Sequence, residues 1–244
     1  MRERISITVF CVYVLCFFTF IMIRLDSYHK QSLSVSKTVE NSFVIVIDAG
    51  HGGSDGGTVA EDGTNEAVIN LMISRKLNDL LESLGFKTVM TRVDENSIGE
   101  SGSSIRSEKV SDIYKRMEIM NSFENCVFVS IHQNYYKGSS SWGTQVFYSG
   151  NNPESECLAQ SIQSSVADII QPKNKRMIKK STSDIYLLYR AKKPAVLIEC
   201  GFMSNSDELK KLKDETYQKE LVLSITDGII DYLTEKDVLY GFKD

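Results

Sequence analysis

Two histidines, His51 and His132, each follow a run rich in β-branched and aromatic residues: Val44-Ile-Val-Ile-Asp-Ala-Gly-His51 and Cys126-Val-Phe-Val-Ser-Ile-His132. The chain has three histidines in all, and the third, His29, lies in the N-terminal tail. Runs of this composition read as buried strands, so both imidazoles are expected at strand ends. A third run, Ala195-Val-Leu-Ile, closes on Glu199. In open α/β sheets the loops at the carboxyl ends of the strands build the site. Two imidazoles and a carboxylate converging there suit a metal centre better than packing. Catalytic zinc commonly takes three protein ligands, two His and one Glu being a recurrent set, and leaves a fourth position for water.

The third ligand has several candidates. Glu66 opens the helix that follows the glycine-dense loop Gly50–Gly57, which brings it near His51. A carboxylate in a first helical turn is also stabilised by the helix dipole alone, and Asp55, Glu61 and Asp62 compete for the same role. Hydrolysis at a metal further needs a base for the attacking water. Glu199 fits, since a carboxylate at a buried strand end is costly unless it has a task or a partner. Its competing reading is a salt-bridged glutamate paired with Arg116 or Arg92. Cys200 would need a histidine or cationic neighbour to become a thiolate; both histidines are already assigned, so it reads as core. The glycine loop has neither the Lys-Ser/Thr ending of a P-loop nor a G-x-G-x-x-G spacing. Tyr135, Tyr136 and Trp142 are of a sugar-stacking type, although aromatics near strand ends also serve packing.

The elements that must position these groups alternate. After the first strand, Val68, Leu71, Met72, Leu77, Leu80, Leu81 and Leu84 recur at helical spacing until Gly85 stops the helix. A strand is expected at 86–92, a Ser/Gly/Glu loop at 93–110, a helix at 113–123 and the His132 strand at 126–132. Further strands are expected at 144–148, 186–189 and 195–199, with helices at 153–170 and 217–233. This order implies one α/β domain with a mostly parallel central sheet flanked by helices.

With 244 residues, 42% hydrophobic and 25% charged, the chain has a globular composition, and its net charge of -4 argues against a nucleic-acid partner. Five cysteines without a CxxC pair indicate neither a disulfide framework nor a thiolate zinc site. Arg2 and Arg4 precede an apolar stretch, Ile5 to Ile23, which is long enough to span a bilayer. No A-x-A-like site follows, so residues 1–25 are expected to be an uncleaved signal anchor or transmembrane helix, with the body outside the cytoplasm. Residues 26–41 read as a tether, 42–236 as the catalytic domain and 237–244 as a tail.

Asp48-Ala-Gly-His-Gly-Gly-Ser-Asp-Gly-Gly57, Glu66 with Asn70-Leu71, Thr91-Arg92, Arg116 with Asn121, Ser130-Ile-His132-x-Asn134 and Glu199-Cys-Gly-Phe-Met-Ser-Asn205 resemble the zinc-dependent N-acetylmuramoyl-L-alanine amidases of the amidase-3 type. The likeness runs in order from residue 43 to about 233. It implies one Zn2+ held by His51, Glu66 and His132, with Glu199 as the catalytic carboxylate and peptidoglycan as substrate. Asn134, Tyr135, Trp142 and Arg116 are then possible substrate-binding residues. The anchor, Gln133-Asn-Tyr-Tyr136, Gly143-Thr-Gln-Val-Phe-Tyr148 and Ile185-Tyr-Leu-Leu188 are most similar to the membrane-anchored, germination-specific branch. That branch acts in the spore cortex toward muramic-δ-lactam, around the forespore, and an accessory protein stabilising the zinc-bound form is a further implied partner. Ala67, Thr58 and Tyr135 depart from the residues common in the family, which bears on substrate fit rather than on ligation. Another zinc cell-wall hydrolase, a deacetylase or peptidase, and an inert wall-binding homologue are the alternatives.

Overall fold

Strand β1 (Val44–Ala49) is buried along its whole length, as a parallel strand covered on both faces should be. Its alternation sorts the core into two layers. Ile45 and Ile47 face one side and pack with Val129, Ile131 and Ile198; Val44 and Val46 face the other and pack with Phe128 and Leu197. The computed structural model describes residues 43–236 apart from 101, 103, 138 and 139. The expected anchor and tether at 1–41 and the tail at 237–244 lie outside the described residues. Among the described residues, no helix is long and apolar enough to cross a membrane.

The other strands are β2 (Lys87–Met90), β3 (Cys126–Asn134), β4 (Gln145–Tyr148), β5 (Lys179–Lys180) and β6 (Ala195–Phe202). They form one six-stranded sheet in the order β2-β1-β3-β6-β4-β5. Strands β2, β1, β3 and β6 run parallel, whereas β4 is antiparallel to β6 and parallel to β5. The sheet is therefore mixed rather than uniformly parallel. The helices are α1 (Glu66–Ser83), α2 (Ile105–Asn121), α3 (Glu154–Ile169), α4 (Tyr186–Arg190), α5 (Ser206–Lys213) and α6 (Glu215–Glu235). The first core layer is covered by α1, α3 and α6 through residues such as Ile73, Ile162 and Ile225. The second is covered by Met120 of α2 and Leu188 of α4.

Four elements differ from the sequence expectation, one being the two-residue strand β5, which was not expected. The run at 186–189 is the short helix α4, not a strand. Its Leu pair carries good helix propensity, and one turn suffices to bury Leu188 while Tyr189 stays exposed. Helix α2 starts at Ile105, inside the expected loop, because Ser104 and Ser107 cap it reciprocally, each side chain accepting the other's backbone N–H. Helix α5 was not expected. It is capped by Asn205, whose side chain accepts from the N–H groups of Asp207 and Glu208, and lysines close its last turn.

Candidate metal and catalytic site

His51 lies just past the end of β1, whereas His132 and Glu199 sit inside β3 and β6, which continue beyond the expected ends to Asn134 and Phe202; the three strands are neighbours in the sheet. The turn after β1 is tight. His51 sits at φ 62°, in the left-handed region that a non-glycine residue enters only when its surroundings enforce it. Two buried arginines do the enforcing. Arg92 donates from Nε to the Ala49 carbonyl at 2.8 Å and from Nη2 to the Gly50 carbonyl at 3.0 Å. Arg116 donates to the Ala49 carbonyl at 2.9 Å and to the His51 carbonyl at 2.7 Å. Arg116 is itself anchored by buried Asp48, which also accepts from the Thr91 and Ser130 hydroxyls at 2.6 Å each. Gly50 is required by close approach, since a Cβ there would meet His132 Nε2 at 2.2 Å.

Glu66 is positioned by the start of α1. Its backbone N–H donates to the Thr58 carbonyl at 2.8 Å, and that of Ala67 donates to the Gly56 carbonyl at 3.1 Å. The loop thus satisfies two of the helix's orphan donors. Glu66 Oε2 accepts from the Thr58 N–H at 3.0 Å. Glu66 Oε1 accepts from the Gln133 N–H at 3.1 Å and the Asn70 side chain at 3.3 Å. The same Oε1 faces His132 Nδ1 at 3.0 Å and His51 Nε2 at 3.3 Å.

One donor atom from each of His51, Glu66 and His132 lies within 4.8 Å of the other two. Ligands at about 2.0–2.1 Å from a tetrahedral ion stand roughly 3.3 Å apart, close to the two contacts that Oε1 makes. His51 Nδ1 bonds Asp55 Oδ2 at 2.9 Å. When that nitrogen donates, Nε2 faces the Glu66 carboxylate, and the gap is bridged either by a proton on Nε2 or by a metal cation in its place. The donor set therefore fits a divalent metal. Asp55 lies outside the three-residue cluster and bonds the other His51 nitrogen, the position of a carboxylate that orients a histidine. Asp62 pairs with Lys213 at 2.7 Å, and Glu61 lines a separate cleft with Met203 and Lys210.

Without a metal, the ionisation of these groups is interdependent. Burial opposes charge on His51, yet the bonds to Asp55 and Glu66 raise its pKa to about 9. Burial likewise opposes charge on Glu66, but His132 and His51 hold its carboxyl far below the usual range.

Glu199 stands directly opposite His132 in the β3–β6 register. Its Oε2 is buried and has no hydrogen-bond partner among the described residues. Burial pushes its pKa up to about 7, against the lowering effect of His132. The salt-bridged reading of Glu199 is thus overturned: Arg92 and Arg116 are both spent on the glycine loop. A buried carboxylate oxygen without a partner among the described residues, beside a cluster that could hold a metal, has the chemistry to accept a proton from water and return it. Cys200 packs in the first core layer, and burial raises its thiol pKa, in keeping with a core residue.

The remaining sequence candidates separate. Arg116 is buried beneath the loop and committed to Asp48, Asp112 and two carbonyls, so it is corrected from a substrate contact to a support. Asn134 is half-buried, and its backbone carbonyl accepts from the Met203 N–H at 2.8 Å. Tyr135 and Trp142 are exposed. Asn70, to which the sequence pattern assigns no role, ties Glu66, the Gly50 carbonyl and Gln133 together. The available signal was an amide four residues beyond Glu66, one helical turn along the same face.

Residues 45–231 match the family model for N-acetylmuramoyl-L-alanine amidase. The chain is 32% identical over 212 residues to the germination-specific N-acetylmuramoyl-L-alanine amidase of Bacillus subtilis, covering 86% of each chain. It is also similar to the CwlD amidase of Clostridioides difficile, solved in complex with the GerS lipoprotein. The TM-score is 0.75 and the identity 39%, over 79% of this chain and 98% of that one. A second solved N-acetylmuramoyl-L-alanine amidase, from Clostridium difficile 630, has a TM-score of 0.70 and 30% identity, over 80% of this chain and 99% of that one.

Proposed function

The chain belongs to the N-acetylmuramoyl-L-alanine amidase family, and from that premise we propose that it hydrolyses the amide joining N-acetylmuramic acid to L-alanine in peptidoglycan, with zinc held by His51, Glu66 and His132. Zinc bound there supplies a Lewis acid that polarises the amide carbonyl and acidifies water. Glu199 takes the proton from the attacking water and returns it to the alanine nitrogen as the C–N bond breaks. Asp55 holds the His51 ring through Nδ1, and Asn70 and the Gln133 N–H keep the Glu66 oxygen turned inward. Arg92 and Arg116 hold the loop that carries His51. Asn134, Tyr135 and Trp142 contact the glycan or its peptide; their support is position and exposure.

The observation that carries this reading is the Glu199 carboxylate, opposite His132 with Oε2 lacking a hydrogen-bond partner among the described residues. Glu199→Gln keeps the shape and removes the base. General-base loss costs typically 10²–10⁴-fold in rate. The variant should bind zinc as the wild type does and lose turnover by about that factor, while retained activity on purified peptidoglycan overturns the role.

The similarity to the germination-specific amidase supports a role in the spore cortex, tested by whether spores of a deletion strain lack muramic-δ-lactam. It also supports action outside the cytoplasm. The apolar stretch at residues 5–23 supports membrane anchoring, which fails if full-length protein stays in the soluble fraction. The lipoprotein complex of the Clostridioides difficile relative supports an accessory partner that stabilises the zinc-bound form. Zinc retention unchanged by any co-expressed lipoprotein would contradict that.

A further inference from the structure

Residues opposite one another in a sheet project to the same face. His132 is opposite Glu199, and Glu199 is opposite Gln145 across the antiparallel β4–β6 junction. These three side chains therefore form a row leading away from the metal ligands. At its far end stands Arg176. Its Nη1 reaches Gln145 Oε1 at 3.4 Å, its Nε donates to the Trp142 carbonyl at 2.8 Å, and its guanidinium lies 4.5 Å above the Phe202 ring. Its backbone N–H donates to Asn174 Oδ1 at 3.0 Å. Nη2 makes no hydrogen bond among the described residues. A guanidinium stacked and held on two edges is preorganised, and its remaining edge matches a carboxylate.

We propose that Arg176 is a specificity-determining residue that binds the first free carboxylate of the stem peptide, the α-carboxylate of the acidic second residue. This rests on the amidase reading above. The alanine nitrogen must come within reach of Glu199, so the peptide extends past Glu199 along the row toward Gln145 and Arg176. Adjacent strands are about 4.8 Å apart, and the carboxylate of the second stem residue lies roughly 6 Å from the alanine nitrogen, within one to two such spacings. The other arginines near the site, Arg92 and Arg116, are buried and already bound to the loop. Arg176 is half-buried and keeps an open edge.

The test compares zinc-loaded, full-length wild type, Arg176→Gln and Arg176→Lys on two muropeptides, one with the α-carboxylate free and one with it amidated. Loss of a charge-assisted hydrogen-bond pair corresponds to roughly a 10- to 100-fold change. Arg176→Gln should lower kcat/KM by that factor on the acidic stem and at least tenfold less on the amidated one, with Arg176→Lys recovering part of the preference. Equal loss on both stems overturns the proposal and leaves Arg176 a support for the Trp142 loop. A binding arm uses the dipeptide L-alanyl-γ-D-glutamate and its α-amide in calorimetry. If wild type cleaves neither muropeptide but prefers the acidic dipeptide through Arg176, the amidase reading fails and the carboxylate subsite stands. Equal binding of the acidic dipeptide by wild type and Arg176→Gln overturns the subsite whatever the turnover.

Discussion

Replacing Arg116 by methionine keeps an apolar stem of similar length and removes the charge that balances Asp48. Asp48 is fully buried, and among the described residues its hydrogen-bond partners apart from Arg116 are the hydroxyls of Thr91 and Ser130, each at 2.6 Å, with a smaller electrostatic contribution from His132. The same change takes a donor from the Ala49 and His51 carbonyls. Removing one member of a buried ion pair costs about 3–5 kcal/mol, because the other charge is stranded. At roughly 2–4 °C per kcal/mol for a domain of this size, the Tm should fall by about 6–20 °C. The pH dependence carries a sign. In the wild type burial works against the Asp48 charge, but Arg116 and then Ser130 and Thr91 hold its pKa below the ordinary value. That contribution is present above the unfolded pKa of about 3.9 and is lost as the pH falls through the folded value. Without Arg116, burial dominates and the pKa rises. A raised carboxyl pKa contributes stability at low pH that is lost as the pH increases. The gap between wild type and Arg116→Met should therefore be widest near neutral pH and narrower near about pH 5. Adding Asp48→Asn removes the stranded charge and should recover about 1–3 kcal/mol, a coupling that thermal melts of the four proteins would read directly. An Arg116→Met variant that melts with the wild type at neutral pH, or an Asp48→Asn effect that simply adds to it, refutes the reasoning.

Gly50→Ala would bring a Cβ to 2.2 Å from His132 Nε2. The displaced imidazole should cost about 1–3 kcal/mol of stability and at least tenfold in zinc affinity, checked by melts and competitive metal titration; unaltered affinity contradicts the close approach. In metal-free protein the His51 pKa is raised from 6.5 to about 9, burial opposing the change and the Asp55 and Glu66 bonds outweighing it. That contribution to stability is fully present below pH 6.5 and is lost as the pH rises to about 9. Zinc must displace this proton, so apparent affinity should climb by up to about tenfold per pH unit across the window. A flat profile in the same titration contradicts the assignment of His51 as a ligand.

The three strands were legible because β1, β3 and β6 are largely buried and so read as continuous apolar runs leading to His51, His132 and Glu199, but their ends were not, since β3 and β6 continue to Asn134 and Phe202. The third ligand was ambiguous from the residues alone, since Asp55, Glu61, Asp62 and Glu66 share one chemistry within a dozen positions. What separates Glu66 is the bonding of the α1 N-terminus to the carbonyls of Gly56 and Thr58, which no local pattern reports. The salt-bridge alternative for Glu199 failed for a similar reason: Arg92 and Arg116 look free in sequence but are consumed by backbone carbonyls of the loop. Strand direction at β4 depends on how the chain returns across the sheet, so the antiparallel junction with β6 left no trace in its four residues. Helix α4 was missed because a five-residue apolar run has no decisive period. Gln145 and Arg176 are more than thirty positions from their neighbours at Glu199 and Trp142 and become visible only through strand register and loop contacts.

Digestion of purified peptidoglycan by the zinc-loaded protein, followed by mass spectrometry of the products, tests the proposed reaction most directly. The predicted products are glycan strands with intact N-acetylated muramic acid lacking its stem, together with peptides that begin at a free L-alanine. Peptides cut within the stem, muramic acid without its acetyl group, or no product from protein carrying stoichiometric zinc would contradict it.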